Sequence, residues 1–229
     1  MGEMIEFAAN GGTARGYLAL PESGAGSGVM VIQEWWGLVP QIKGVCDRLA
    51  EAGFVALAPD LYHGELAEHD EMDKAGHLMT SLDTAQAVTD MGGAVTALLD
   101  MDAVSDNAVG VLGYCMGGML ALLIAAHEGD RIGAVAPFYG APLGDGAPDW
   151  SGLTAKVVGQ FAENDDFFGP DAVNALGDEL RSMGKDVSFT VHPGSGHGFT
   201  NEENPLGTFD SELTAKTWDS TIEFFNSAL

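Results

Sequence analysis

Ala108-Val109-Gly110-Val111-Leu112-Gly113-Tyr114-Cys115-Met116-Gly117-Gly118-Met119-Leu120-Ala121-Leu122-Leu123-Ile124-Ala125-Ala126 is the stretch whose reading decides the fold. A short apolar run rich in β-formers ends at Leu112, and an apolar helical run begins at Met116. Gly113 and Gly117 flank the turn, two positions either side of Cys115. A strand that turns sharply into a helix needs small residues at those places, because strand and helix backbones then come close together. This is the setting of a nucleophile elbow, in which the central side chain stands exposed on a strained turn. The helix N-terminus favours an anion there, and the N–H of the next residue can face a developing oxyanion. Serine is the usual occupant, whereas this chain has cysteine. The competing reading of Cys115 is a buried thiol packed as a small hydrophobe. Cys46, in a helix-like segment with no such setting, is read as core.

Outward from the elbow, apolar β-type runs alternate with helical segments, as in βα units on a mostly parallel sheet. Strands are expected at Ile5–Ala9, Arg15–Leu20, Val29–Gln33, Phe54–Ala58, Ala108–Leu112, Gly133–Phe138, Val157–Phe161 and Val187–Val191. The first two flank Asn10-Gly11-Gly12, a hairpin-type turn, so the sheet should begin antiparallel. Helices are expected at Val39–Ala52, Asp70–Gly76, Ser81–Asp100, Met116–Ala126, Asp171–Met183 and Phe209–Ser227. Leu61 to Thr80 is less regular and acidic, and reads either as a mobile cap or as an ordinary surface connection. The expected class is therefore α/β, a central sheet of about eight strands with helices on both faces. No repeat or linker divides the chain, so 1–229 reads as one domain.

Composition narrows the function. With 34 acidic and 9 basic residues the formal charge is −25, which repels phosphate and anionic lipid. Nucleic-acid and membrane-surface roles are set aside. The acids read as a solvated surface or as adaptation to high salt, where screening relieves self-repulsion. Two cysteines are too few for a disulfide scaffold. Met119 to Ala126 is roughly half the ~20 apolar residues that cross a bilayer, and the first residues do not resemble a secretory signal. The expected location is the cytoplasm.

A cysteine nucleophile needs a base and an orienting acid. Asp165 and Asp166 follow one predicted strand, and His197 follows the last. Carboxyl ends of parallel strands are where open α/β sheets place their sites. Asp60 reads as a turn former, His192 as structural, and His63, His69, His77 and His127 as solvated. No Cys/His set has zinc-ligand spacing, so no metal is expected. Trp35, Tyr62, Tyr139 and Phe167 lie at predicted strand ends or motif loops and could line an apolar pocket.

Taken together, Gln33-Glu34-Trp35-Trp36-Gly37-Leu38, Pro59-Asp60-Leu61-Tyr62, Gly113 to Gly118, Glu163-Asn164-Asp165 and Gly194-Ser195-Gly196-His197-Gly198-Phe199 resemble the dienelactone hydrolase family of α/β-hydrolases. The resemblance runs from Ile5 to Phe225. It implies an α/β-hydrolase fold, a Cys115–His197–Asp165 triad and backbone oxyanion donors at Trp35 and Met116. It also implies that Glu34 holds the resting thiol and takes its proton when substrate arrives. The implied reaction is hydrolysis of a small ester or lactone of the carboxymethylenebutenolide type through a thioester, in a monomer without cofactor. Two family arginines that bind a substrate carboxylate would fall just after Tyr62 and four residues after His197. This chain has His63-Gly64 and Asn201 there, which favours a neutral substrate with Tyr62, Tyr139 and Phe167 as contacts. The alternatives are a general short-chain carboxylesterase and a non-catalytic ligand-binding protein on the same fold.

Overall fold

The computed structural model describes residues 1–9 and 11–229, with Asp145 in its backbone only. Among the described residues there are eight strands and six α-helices, and the strands form an eight-stranded, mostly parallel sheet. The contacts fall into two units, Met1–Gly110 and Val111–Leu229.

In the first unit, β1 (Glu3–Ala9) and β2 (Gly12–Ala19) pair antiparallel, as the turn signal predicts, although Asn10 itself lies outside the described residues. β2 is also antiparallel to β4 (Val55–Pro59), which pairs parallel with β3 (Gly28–Ile32). Every residue of β3 and β4 is buried, so they read as continuous apolar runs rather than as alternating ones. Helix α1 (Pro40–Glu51) starts with a proline whose missing N–H costs nothing in a first turn. Its Ile42, Val45, Cys46 and Leu49 repeat at helical spacing and bury one face, against β2, β3 and β4.

The segment 61–80 is more helical than its sequence suggests. Helix α2 spans Met72–Ser81 and α3 spans Thr84–Leu99, against expected Asp70–Gly76 and Ser81–Asp100. The break falls at Asp83, whose carboxylate accepts the N–H groups of Ala85 and Gln86, so this aspartate starts α3 and Ser81 ends α2.

In the second unit β5 (Val109–Tyr114) leads into α4 (Met116–Glu128), followed by β6 (Ile132–Phe138), β7 (Lys156–Asn164), α5 (Pro170–Ser182), β8 (Val187–Gly196) and α6 (Ser211–Ala228). α4 is apolar on all sides and almost wholly buried, as such a helix must be. α6 begins two residues later than expected because Asp210 caps it, accepting the N–H of Leu213. β7 and β8 pair in parallel and run three and five residues beyond their predicted ends, with an irregularity between Ala162 and Asn164. That extension carries both strands toward the loops that hold Asp165 and His197.

Candidate active site

Cys115 occupies the single residue between β5 and α4, with φ 54° and ψ −118°. A side chain is rarely found there, since Cβ crowds its own backbone, and holding it costs about 1–3 kcal/mol. Its surroundings impose that shape. Its N–H donates to the carbonyl of Phe138 (3.0 Å), and its own carbonyl accepts from Gly118 (2.9 Å) and Met119 (3.3 Å). Two glycines make the approach possible: a Cβ on Gly113 would lie 2.0 Å from the carbonyl oxygen of Gly117, and one on Gly140 would lie 1.8 Å from that of Cys115. Met116 opens α4, where the first N–H groups of a helix have no carbonyl of their own turn to bond.

Asp165 and His197 meet at the ends of β7 and β8. The Nδ1 of His197 donates to Asp165 Oδ2 at 2.8 Å, with both side chains buried. The other carboxylate oxygen accepts the N–H groups of Phe167 (2.8 Å) and Phe168 (3.0 Å). Burial alone would push this carboxyl up. The His197 hydrogen bond and charge, with the two backbone donors, outweigh it and hold Asp165 below the usual carboxylate value. Asp165 therefore stays ionised, fixing the ring with its Nε2 free of this bond. Asp166 is exposed and turned away from this role.

Aromatic rings enclose His197. Tyr139, fully buried, stands edge-on to it at 5.1 Å between centroids; Phe167 lies at 4.9 Å, and Phe168 is stacked on it at 5.9 Å. Phe167 is 65% exposed, a large apolar side chain left in solvent beside the histidine. Thr208 donates its hydroxyl to the His197 carbonyl. Because Phe138 and Gly140 touch the backbone of Cys115 while Tyr139 between them touches His197, one short segment links both residues.

Glu34, Trp35 and Tyr62 lie in the first unit. Glu34 is buried at the end of β3 and its carbonyl accepts from Gly37 (3.2 Å). Trp35 packs edge-on against Trp36, whose other neighbour is His69, so that histidine is half-buried and not simply solvated. Tyr62 is buried, its N–H donating to Asp60, which forms the expected turn. His63 is exposed yet lies 3.5 Å from the buried carboxylate of Asp90. Asn201 is buried and accepts the N–H of Glu203. Arg131 and Arg181 pair with Glu128 and Asp178, so neither is placed as a carboxylate clamp.

Sequence reasoning missed Phe168 and Gly140. The first had a signal, its adjacency to Phe167, and the second could have been found as a glycine just past the end of a predicted strand. Among the described residues no group of three His, Cys, Asp or Glu side chains is placed to hold a metal ion. No described helix is long and apolar enough to cross a membrane.

Residues 14–229 match the family model described as "Dienelactone hydrolase family". Among curated relatives, "Protein usf" of Aquifex pyrophilus is 38% identical over 237 residues, covering 100% of both chains. A protein of Aquifex aeolicus named "Putative carboxymethylenebutenolidase" is 35% identical over 237 residues, again covering 100% of each. A crystal structure from Klebsiella pneumoniae subsp. pneumoniae, described as a "Putative Dienelactone Hydrolase", superposes with a TM-score of 0.84 at 23% identity, covering 99% of each chain. That last likeness speaks to the α/β-hydrolase fold.

Proposed function

Since this chain belongs to the dienelactone hydrolase family, we propose that it is a carboxylic ester hydrolase that opens small, uncharged esters or lactones through a Cys115 thioester. The observation that carries the reading is Cys115 held at positive φ on a strand-to-helix turn, in the same unit as the buried Asp165–His197 pair.

The Cys115 thiolate attacks the carbonyl carbon and the carbonyl π electrons move to oxygen. The N–H of Met116, at the start of α4, receives that oxyanion, and the family resemblance assigns the N–H of Trp35 to the same role; fixed dipoles of this kind need no reorganisation. The intermediate collapses by expelling the alkoxide, which takes a proton from the His197 imidazolium. A thioester and an alcohol result, and in a lactone the two stay joined. Neutral His197 then removes a proton from water as it attacks the thioester, and collapse returns the thiolate and the carboxylic acid. Asp165 keeps the imidazole in the tautomer both half-reactions use and stabilises its charged form.

A thiol of ordinary pKa, about 8.5, is mostly protonated at neutral pH. His197 in its cationic form favours the thiolate, and a carboxylate in the role that the family resemblance gives Glu34 opposes that. Glu34 serves as a gate: with His197 already in its imidazolium form, it takes the thiol proton when substrate arrives and gives it back to the thiolate after the thioester is hydrolysed, which keeps a reactive sulfur from idle oxidation. With Arg131 and Arg181 paired elsewhere and His63 and Asn201 at the positions of the family's arginines, the substrate is read as neutral; exposed Phe167 offers it apolar surface, and Tyr62 and Tyr139 are the further candidate contacts.

Hydrolysis of p-nitrophenyl acetate and of dienelactone by wild type, Cys115→Ala and Glu34→Gln tests this. The expected result is turnover that prefers the uncharged ester and vanishes in Cys115→Ala. Turnover that survives Cys115→Ala overturns the nucleophile, and absence of turnover in wild type favours a binding protein. A Glu34→Gln variant with unaltered thiol titration and turnover removes the gate.

A further inference from the structure

β8 carries a second buried histidine. His192 is 8% exposed, and its Nε2 lies 2.7 Å from Oε1 of Gln160 on β7, itself 5% exposed. In the β7–β8 register His192 faces Ala162 and Gln160 faces Thr190, so the two are diagonal neighbours on one sheet face, within reach of long side chains. An Nε2–H donating to the amide oxygen satisfies both groups inside the core.

Gln160 has a second role through its main chain. Its carbonyl accepts the N–H of Tyr139 at 2.7 Å, just where β6 ends. Tyr139 sits at φ 34°, a value an aromatic residue adopts only when its neighbours force it. Its hydroxyl bonds Thr200 at 2.6 Å, and its ring meets both His197 (5.1 Å) and Phe199 (5.2 Å). Phe199 is also the edge-on neighbour of His192, at 5.7 Å. On either side of Tyr139 the chain is fixed to the elbow, through the Phe138 carbonyl and the close approach of Gly140 to Cys115. The strained residue that touches His197 is thus fastened to the Cys115 backbone on one side and to Gln160 on the other.

We propose that His192 and Gln160 are a positioning pair. By clamping β7 to β8 beneath Tyr139 they fix the segment Phe138–Gly140, and with it the placing of the His197 ring relative to Cys115. The pair touches no substrate and exchanges no proton with it. This rests on the reading of Cys115 and His197 as nucleophile and base. A loss in kcat without a matching change in KM follows, since the exposed Phe167 that offers apolar surface to substrate is not held by this pair, whereas the alignment of the His197 ring with Cys115 is. Small misplacements of reacting groups cost about 10-fold to 100-fold in rate.

The deciding variant is His192→Phe combined with Gln160→Met. Removing both polar partners leaves no buried group unsatisfied, so this double variant should keep a near-native unfolding midpoint, where either change alone would not. With p-nitrophenyl acetate as probe, its kcat should fall about 10-fold or more while KM stays within about twofold. A second variant, His192→Gln, can place an amide N–H near the former Nε2 and should bring kcat back to within about threefold of wild type. A double variant with wild-type kcat overturns the proposal, as does one in which only KM rises. A His192→Gln variant as slow as the double variant removes the hydrogen bond as the cause. Cys115→Ala, run alongside, separates the two failures, since full activity there overturns the nucleophile itself.

Discussion

Cys46 and Cys115 are treated in opposite ways, and the contrast shows how a chain makes one thiol inert and presents another. Cys46 sits mid-helix in α1, fully buried among Ile42, Val45 and Leu49, in ordinary helical geometry. Burial pushes its thiol far above the ordinary value, and the neighbouring Asp47 adds to that. Cys115 is partly exposed, sits at a positive φ and precedes the first turn of α4. The atoms are the same. Chain geometry and water access make the difference.

Activity gives the widest separation. Cys115→Ala should lower turnover of p-nitrophenyl acetate by about 10³-fold or more, whereas Cys46→Ala should leave kcat/KM within about twofold. Comparable losses in both variants would break the comparison. Next in size is alkylation at pH 7. Iodoacetamide should label Cys115 in the folded protein about 100-fold faster than Cys46, with the second thiol reacting only in denaturant. Mass spectrometry of the labelled peptides reads this directly.

The pH dependence of stability sharpens it further. The folded-state pKa of Cys46 is raised, so the unfolded chain loses that proton first. Its contribution is intact below the ordinary thiol value and is lost as pH rises above it, at up to about 1.4 kcal/mol per pH unit. Cys46→Ala should flatten that alkaline slope in urea titrations. On the acid side the burden falls in the unit that holds Cys115. Burial, then Lys216, holds His192 below 6.5, so the unfolded chain protonates first and stability declines as pH falls below that value. Asp165, held below 3.8, adds a further loss as pH drops through its folded value. Salt gives the smallest effect. At a charge of −25 the unfolding midpoint should rise by a few degrees between low and molar KCl through screening, while the labelling preference persists.

The elbow was legible because its requirements are local: two glycines, one reactive residue and a change of hydrophobic period within ten positions. Cys46 was legible as core because its helix-like segment has no such turn around it. The α2–α3 break was not, because Ser81 and Asp83 are both good cap residues and only the fold selects the aspartate. The extension of β8 through Pro193 was hidden for a different reason. Proline normally ends a strand, but β8 is the last strand of the sheet, where a missing N–H removes no ladder bond. At the site, the order of Cys115, Asp165 and His197 along the chain could be read in advance. The stacking of Phe168 on His197 and the seat of Gly140 against Cys115 could not, since both join segments distant in sequence.

The positive φ of Cys115 places stability and activity in opposition at one codon. Glycine accepts that backbone shape freely, so Cys115→Gly should relieve more strain than the flexibility it adds to the unfolded chain costs. We expect the inactive variant to melt above wild type, with each kcal/mol gained worth about 2–4 °C in a chain of this size. A lineage selected only for robustness would drift toward that glycine and fall silent.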